Sequence, residues 1–172
     1  MLKLTLSILT IAAVATFTNA DAPTEDNWSE GLNNYIGTFH MYTGDNEEPS
    51  VAFQSHWAEP HEIFQYSSSS VGDAPASRGV GFCFWNEKEK RPEFNEIEFR
   101  DGERTVHEGY CIDMTGNTMT WIVTSWSKDG EISQIKMTDT HHKSGLNRAT
   151  EHISGKKDED QTTKWVKVSE EK

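Results

Sequence analysis

Glu93-Phe94-Asn95-Glu96-Ile97-Glu98-Phe99-Arg100-Asp101-Gly102-Glu103-Arg104-Thr105 decides the fold. Asn95, Ile97 and Phe99 alternate with Phe94, Glu96 and Glu98, the period-2 pattern of a strand whose faces differ. Asp101-Gly102 is a strong two-residue hairpin sequence, so the chain turns and pairs with itself at once. Outward from this hairpin the pattern repeats. Thr105 to Met114 alternates, Thr115-Gly116-Asn117 turns, Met119 to Trp126 returns, and Asp129-Gly130 leads into Ile132 to Thr138. Asn147 to Ile153 and Thr162 to Val168 follow, joined by the tip Gly155 to Gln161.

The N-terminal side reads likewise. Trp28 and Leu32 at i and i+4 predict a short helical turn, and Asn33 to Tyr42 a first strand with Tyr35, Gly37, Phe39 and Met41 on one face. Val51 to Trp57, Glu62 to Ser68 and Arg78 to Asn86 are the next strands. Ser67 to Ser77, rich in Ser, Gly, Ala and Pro, is expected to be the longest loop. About ten strands linked by hairpins predict an all-β, single antiparallel up-and-down barrel over about 140 residues. A cone-shaped helix-plus-sheet fold of the ketosteroid-isomerase type would need amphipathic helices that 21–51 lacks.

Residues 1–20 read as a signal peptide. Lys3 precedes the apolar run Leu4 to Phe17, and Thr18-Asn19-Ala20 suits cleavage before Asp21. The expected layout is 1–20 signal, 21–31 lead-in, 32–168 barrel and 169–172 disordered tail, in a secreted or periplasmic protein with no membrane insertion after cleavage. Loss of Lys3 takes the net charge from −12 to −13. That charge argues against nucleic acid and anionic membranes as partners, and the expected state is a monomer. Asn27-Trp28-Ser29 forms a glycosylation sequon.

The opening Tyr35-Ile36-Gly37-Thr38-Phe39 resembles the Gly-x-Trp entry of the calycin superfamily, with Phe39 where lipocalins carry Trp. The Gly-rich strand Arg78 to Trp85 and the closing Thr163-Lys164-Trp165-Val166-Lys167 resemble exported bacterial lipocalin-like proteins of unknown function. The resemblance implies a calycin-like barrel, and the function expected of it is to bind a small, partly apolar ligand. The calycins include haem-binding nitrobindins, whose site would need a late-strand His facing inward. His152 and one of His141 and His142 are the candidates, and adjacent strand residues point to opposite faces, so only one of that pair can qualify.

The expected ligand pocket consists of Tyr35, Phe39, Phe53, Trp57, Phe82, Phe84, Tyr110 and Trp121, with Val123 beside them. The faces of Phe64, Trp85, Phe99, Trp126 and Trp165 are left open by the pattern. Inward-pointing Gln54, His40, His107 or Glu108 would favour a specific ligand or catalysis. Glu96, Glu98 and Glu108 could share a face, and buried carboxylates could do acid–base work at the barrel mouth. The sequence has no nucleophile elbow around Ser67 to Ser70, no Gly-rich phosphate loop, no CxxC and no HExxH. His56 and His61 flank a turn and are weak metal candidates; no cofactor is predicted. Cys83 and Cys111 are the only cysteines. Export favours a disulfide, yet one strand between theirs would hold them roughly 9–10 Å apart, beyond the ~7 Å reach of a disulfide, so two free buried thiols are expected. The alternatives to ligand binding are an enzyme at the barrel mouth and a filled barrel that acts as a protein-interaction module.

Overall fold

The computed structural model describes residues 22–155 and 161–169. The expected signal peptide, all but one residue of the expected tail, and most of the last hairpin tip lie outside them. A short helix α1 (Trp28–Asn33) precedes ten strands: β1 (Gly37–Thr43), β2 (Val51–Glu59), β3 (Ile63–Ser70), β4 (Ser77–Asn86), β5 (Arg91–Arg100), β6 (Glu103–Thr115), β7 (Thr118–Ser127), β8 (Ile132–His142), β9 (Gly145–Gly155) and β10 (Gln161–Ser169). Each strand pairs antiparallel with its neighbours in sequence, and β1 pairs with β10 to close the barrel. Closure leaves no open sheet edge and makes one continuous inner face.

The hairpin at Asp101-Gly102 forms as read. Arg100 pairs with Glu103, and both turn residues take positive φ, 51° and 82°, which a two-residue type I′ link requires and which Asp and Gly tolerate. Several boundaries differ from the sequence reading. Ser67 to Ser70 belong to β3, paired with Gln54 to Val51, so the 71–76 link is shorter than the 44–50 link after β1. β8 continues through His142 and β9 begins at Gly145. Gly145 has φ +146°, and a Cβ there would run into the backbone carbonyl of Trp165, so a close β9–β10 approach requires glycine. Tyr35 precedes β1, in the joint between helix and strand.

α1 covers one end of the barrel. Its start is fixed by a reciprocal pair in which the Thr24 N–H donates to Asn27 Oδ1 (2.7 Å) and the Asn27 N–H to Thr24 Oγ1 (3.2 Å). The Asn27 of the sequon is therefore engaged, and the Trp28 and Ser29 that complete it are buried. Trp28 and Leu32, one turn apart, are buried on one face of the helix. Trp28 meets Trp57 edge to face at 5.6 Å and Trp85 at 6.3 Å. The Trp57 indole N–H donates to Asn33 Oδ1 (2.8 Å) and ties the helix end to β2. Met119, Leu146 and Cys111 complete this packed half. Both cysteines are free and buried, with β5 between their strands, as a plain meander requires. Burial raises both thiols, Cys111 to about 12, so neither is a reactive thiolate at neutral pH.

Candidate functional site

Toward the other end the barrel is not filled. A cavity of about 310 Å3 runs from Leu32 and Tyr35 at the helix end up to Ser68, Ser77, Glu98 and Arg100. There it meets a vestibule of about 720 Å3 between the β5–β6 and β7–β8 hairpins, sharing Glu98, Arg100, His107, Val123 and Ile135 with it. The size lies at the small end of ligand sites, which run ~300–1000 Å3.

The cavity wall is aromatic and aliphatic. Phe53 stacks on Tyr66 at 5.3 Å and meets Trp165 edge to face at 5.5 Å, while Phe94 meets Trp121 at 5.5 Å. Two inward glycines make room for these rings: a Cβ on Gly81 would collide with the Tyr66 ring, and one on Gly109 with the Phe94 ring. Small residues on β4 and β6 thus oppose large ones on β3 and β5, which is how a narrow barrel accommodates rings lying across it.

Of the eight expected pocket residues, Tyr35, Phe53 and Trp121 line the cavity, and Val123 joins them. Phe39 and Trp57 face inward but pack solid, Phe39 against Phe53 and Trp57 against Trp28 and Phe64. Phe82, Phe84 and Tyr110 need correction: they belong to the outer face. Phe82 is 44 % exposed while its neighbours Gly81 and Cys83 are buried, and Arg91 lies 3.8 Å over the Tyr110 ring. Bulk was the wrong guide on β4 and β6, because there glycine and cysteine mark the inside and aromatics the outside. The rings that replace them, Phe64, Tyr66, Phe94 and Trp165, stand on strands where the alternation carried rings on a face left unassigned.

The floor of the cavity holds a buried ion pair absent from the sequence reading. Asp139 and Arg148 are direct cross-strand partners on β8 and β9. Arg148 donates from Nε to Oδ1 and from Nη2 to Oδ2 of Asp139, both at 2.8 Å, and the Tyr35 hydroxyl donates to Oδ2 at 2.6 Å. Asp139 is wholly buried, and the Arg148 guanidinium lies 4.9 Å over the Trp165 ring. Burial, then the Asp139 charge, pushes the Tyr35 hydroxyl well above its ordinary range and keeps it a donor. A bidentate fork plus a phenol satisfies this carboxylate fully, so its chemistry is structural. One signal pointed here: Asp139 and Arg148 continue the inward phase of Ile135–Met137 and of Thr150.

Polar groups also converge higher in the cavity. Glu96, Glu98 and His107 face inward, whereas Glu108 and Gln54 are exposed on the outer face and His40 lies outside the cavity lining. The Tyr66 hydroxyl donates to Glu96 Oε2 at 3.2 Å. Burial raises the Glu96 carboxyl above its usual range. Glu98 is paired on two sides: Arg100 Nη2 lies at 2.8 Å and His107 Nε2 at 3.4 Å. The hydrogen bond to His107 leads the effects that lower the Glu98 carboxyl below its ordinary value. His107 Nδ1 sits 2.8 Å from Ser125 Oγ, its cross-strand partner on β7.

Ser125, His107 and Glu98 therefore form a hydrogen-bonded chain at the mouth. Nucleophilic acyl transfer also needs paired N–H donors for an oxyanion. In β5, β6 and β7 the backbone is engaged in the ladder on both sides, so these strands do not supply them. The chain orients His107 and engages both of its ring nitrogens.

The remaining histidines are dispersed. His56 on β2 pairs across to Gln65 on β3, and His61 sits exposed in the β2–β3 turn with φ +62°, its ring 5.5 Å from Trp57. No group of three or more metal-capable side chains occurs among the described residues. Of the late histidines, His141 is buried and His142 exposed. His141 packs edge-on against Tyr35 at 4.4 Å, beneath the cavity rather than in its wall, and His152 lies on β9 toward the mouth.

The fold and this site together define a closed ten-stranded antiparallel barrel with a plugged end and an open, polar-rimmed cavity. No protein-family model matches the chain, and no curated protein matches it in sequence.

Proposed function

We propose that this protein is an exported, calycin-like carrier that holds one small, partly apolar molecule inside its barrel. The observation that carries the reading is the 310 Å3 aromatic cavity, open at one end, with Glu96, Glu98 and His107 among the polar side chains that stand above its apolar wall. Ligand sites have this composition: mostly apolar lining, with a few placed polar groups that fix orientation. The leader-like residues 1–20 support export, and the entry Tyr35 to Phe39 supports calycin kinship.

N-phenyl-1-naphthylamine, a neutral dye that brightens in apolar surroundings, tests the reading. The wild type is expected to bind it at one site, and Ile135→Trp, which places an indole in the shared neck of cavity and vestibule, to lose most of that affinity while keeping its β-sheet circular dichroism. A wild type that leaves the dye dark would overturn the proposal.

A further inference from the structure

The charges inside the barrel do not balance, and the imbalance indicates what the ligand carries. Asp139 is neutralised in place by the Arg148 fork, and Glu98 is bracketed by Arg100 and His107. Glu96 is different. Its hydrogen-bond partner is the neutral Tyr66 hydroxyl, and although His107 is its cross-strand partner, among the described residues no Lys, Arg or His lies within ion-pair distance of it. Its other oxygen, Oε1, lies over Gly79, 2.6 Å from where a Cβ would stand, so the carboxyl occupies space that the glycine leaves.

The route to Glu96 is acidic as well. The vestibule wall adds Asp101, Glu103, Asp129 and Glu131 to Glu98, against Arg100 and His107 as its basic groups. An acidic, narrowing entrance raises the local concentration of cations and repels anions. Below it, Tyr66, Phe94, Phe53 and Trp121 present ring surface near the carboxyl, and aromatic faces attract a desolvated cation. A buried carboxylate without a cation is costly to keep ionised, and an incoming ammonium removes that cost.

Resting on the ligand-binding reading above, we infer that the ligand is an arylalkyl amine whose ammonium pairs with Glu96 while its apolar body lies against the cavity rings. The groups that face Glu96 from the surrounding strands are Tyr66 on β3, Glu98 on β5, His107 on β6 and Arg148 on β9. Among them Glu96 is the carboxyl that burial holds toward its neutral form, so amine affinity rises with pH as Glu96 ionises, while the amine itself stays protonated.

Isothermal titration with three probes of one size makes the test: 2-phenylethylamine, 2-phenylethanol and 3-phenylpropionate. The amine is expected to bind at least tenfold more tightly than the alcohol, and the carboxylate most weakly. Glu96→Gln, which is isosteric and keeps an oxygen for the Tyr66 hydroxyl, should weaken the amine at least tenfold and leave the alcohol within about twofold. Equal binding of amine and alcohol, tighter binding of the carboxylate, or an amine indifferent to Glu96→Gln overturns the inference. Should N-phenyl-1-naphthylamine bind while all three probes fail, the amine assignment falls and the cavity reading stands. Failure of the dye as well removes both.

Discussion

The two ends of this barrel treat carboxylates in opposite ways. At the floor, Asp139 receives three hydrogen bonds, two from Arg148 and one from Tyr35, and nothing is left for a ligand to satisfy. Near the mouth, Glu96, Glu98 and His107 stand in the wall of an open cavity, and among the described residues no cation lies within ion-pair distance of Glu96. Trp28, Trp57 and Trp85 close the first end, whereas Trp121 and Trp165 line the open space. The comparison teaches that burial alone does not mark a site. A saturated polar cluster holds the fold, and an unsaturated one in an accessible cavity is free to recognise something.

The sharpest way to break this contrast is to unpair the floor. Asp139→Ala leaves the Arg148 guanidinium without its carboxylate, and removing one partner of a buried pair costs about 3–5 kcal/mol. Urea unfolding should therefore show a large loss of stability, against a small one for Glu98→Gln. Equal losses from the two variants would mean that the ends are not distinct.

Next in size is a pH effect at the floor. Burial lowers His141 to about 4, from an ordinary value near 6.5, and its two ring nitrogens find no hydrogen-bond partner. The unfolded chain binds the proton more readily, so the native state loses stability as pH falls from about 6.5 through about 4. The loss attributable to this residue is roughly 3 kcal/mol from linkage. Thermal melts across that range should show a shallower decline for His141→Leu than for the wild type. Parallel slopes would remove His141 as the cause.

The smallest effect belongs to the mouth. Glu98 and Arg100 form a partly exposed pair, with Arg100 side-chain exposure at 66 %, and such pairs contribute about 1 kcal/mol or less. Glu98→Gln should leave the melting temperature nearly unchanged, while altering how strongly the amine probe depends on salt. A melt lowered as much as by Asp139→Ala would reassign the mouth to the structural core.

Much of the fold was legible because hairpins announce themselves. Asp101-Gly102, Thr115-Gly116-Asn117 and Asp129-Gly130 each fall where the chain turns, and alternation between them fixes the strands. The site was harder to read, because period 2 divides a strand into two faces without saying which is inside. On β1, β2 and β7 the bulkier face is inner, and Phe39, Phe53 and Trp121 face inward. On β4 and β6 the inner positions are Gly81, Cys83, Gly109 and Cys111, and the bulky Phe82, Phe84 and Tyr110 face outward. What reverses the rule is the partner across the ladder: the Tyr66 and Phe94 rings need those glycines, a constraint visible only once the strands are in register. Asp139 and Arg148 escaped for a related reason. Their strands were read as ending at Thr138 and beginning at Asn147, so neither the acid's inward position nor its pairing with Arg148 was apparent.

The indole N–H signals of the six tryptophans report which end is closed and which receives a ligand. Uniformly 15N-labelled protein would be titrated with N-phenyl-1-naphthylamine and followed by proton–nitrogen correlation spectra. Saturable shifts are expected at Trp121 and Trp165, with Trp28, Trp57 and Trp85 at the plugged end and Trp126 outside the cavity lining unmoved. Shifts confined to Trp28, Trp57 and Trp85, or to Trp126, would contradict that assignment of the two ends.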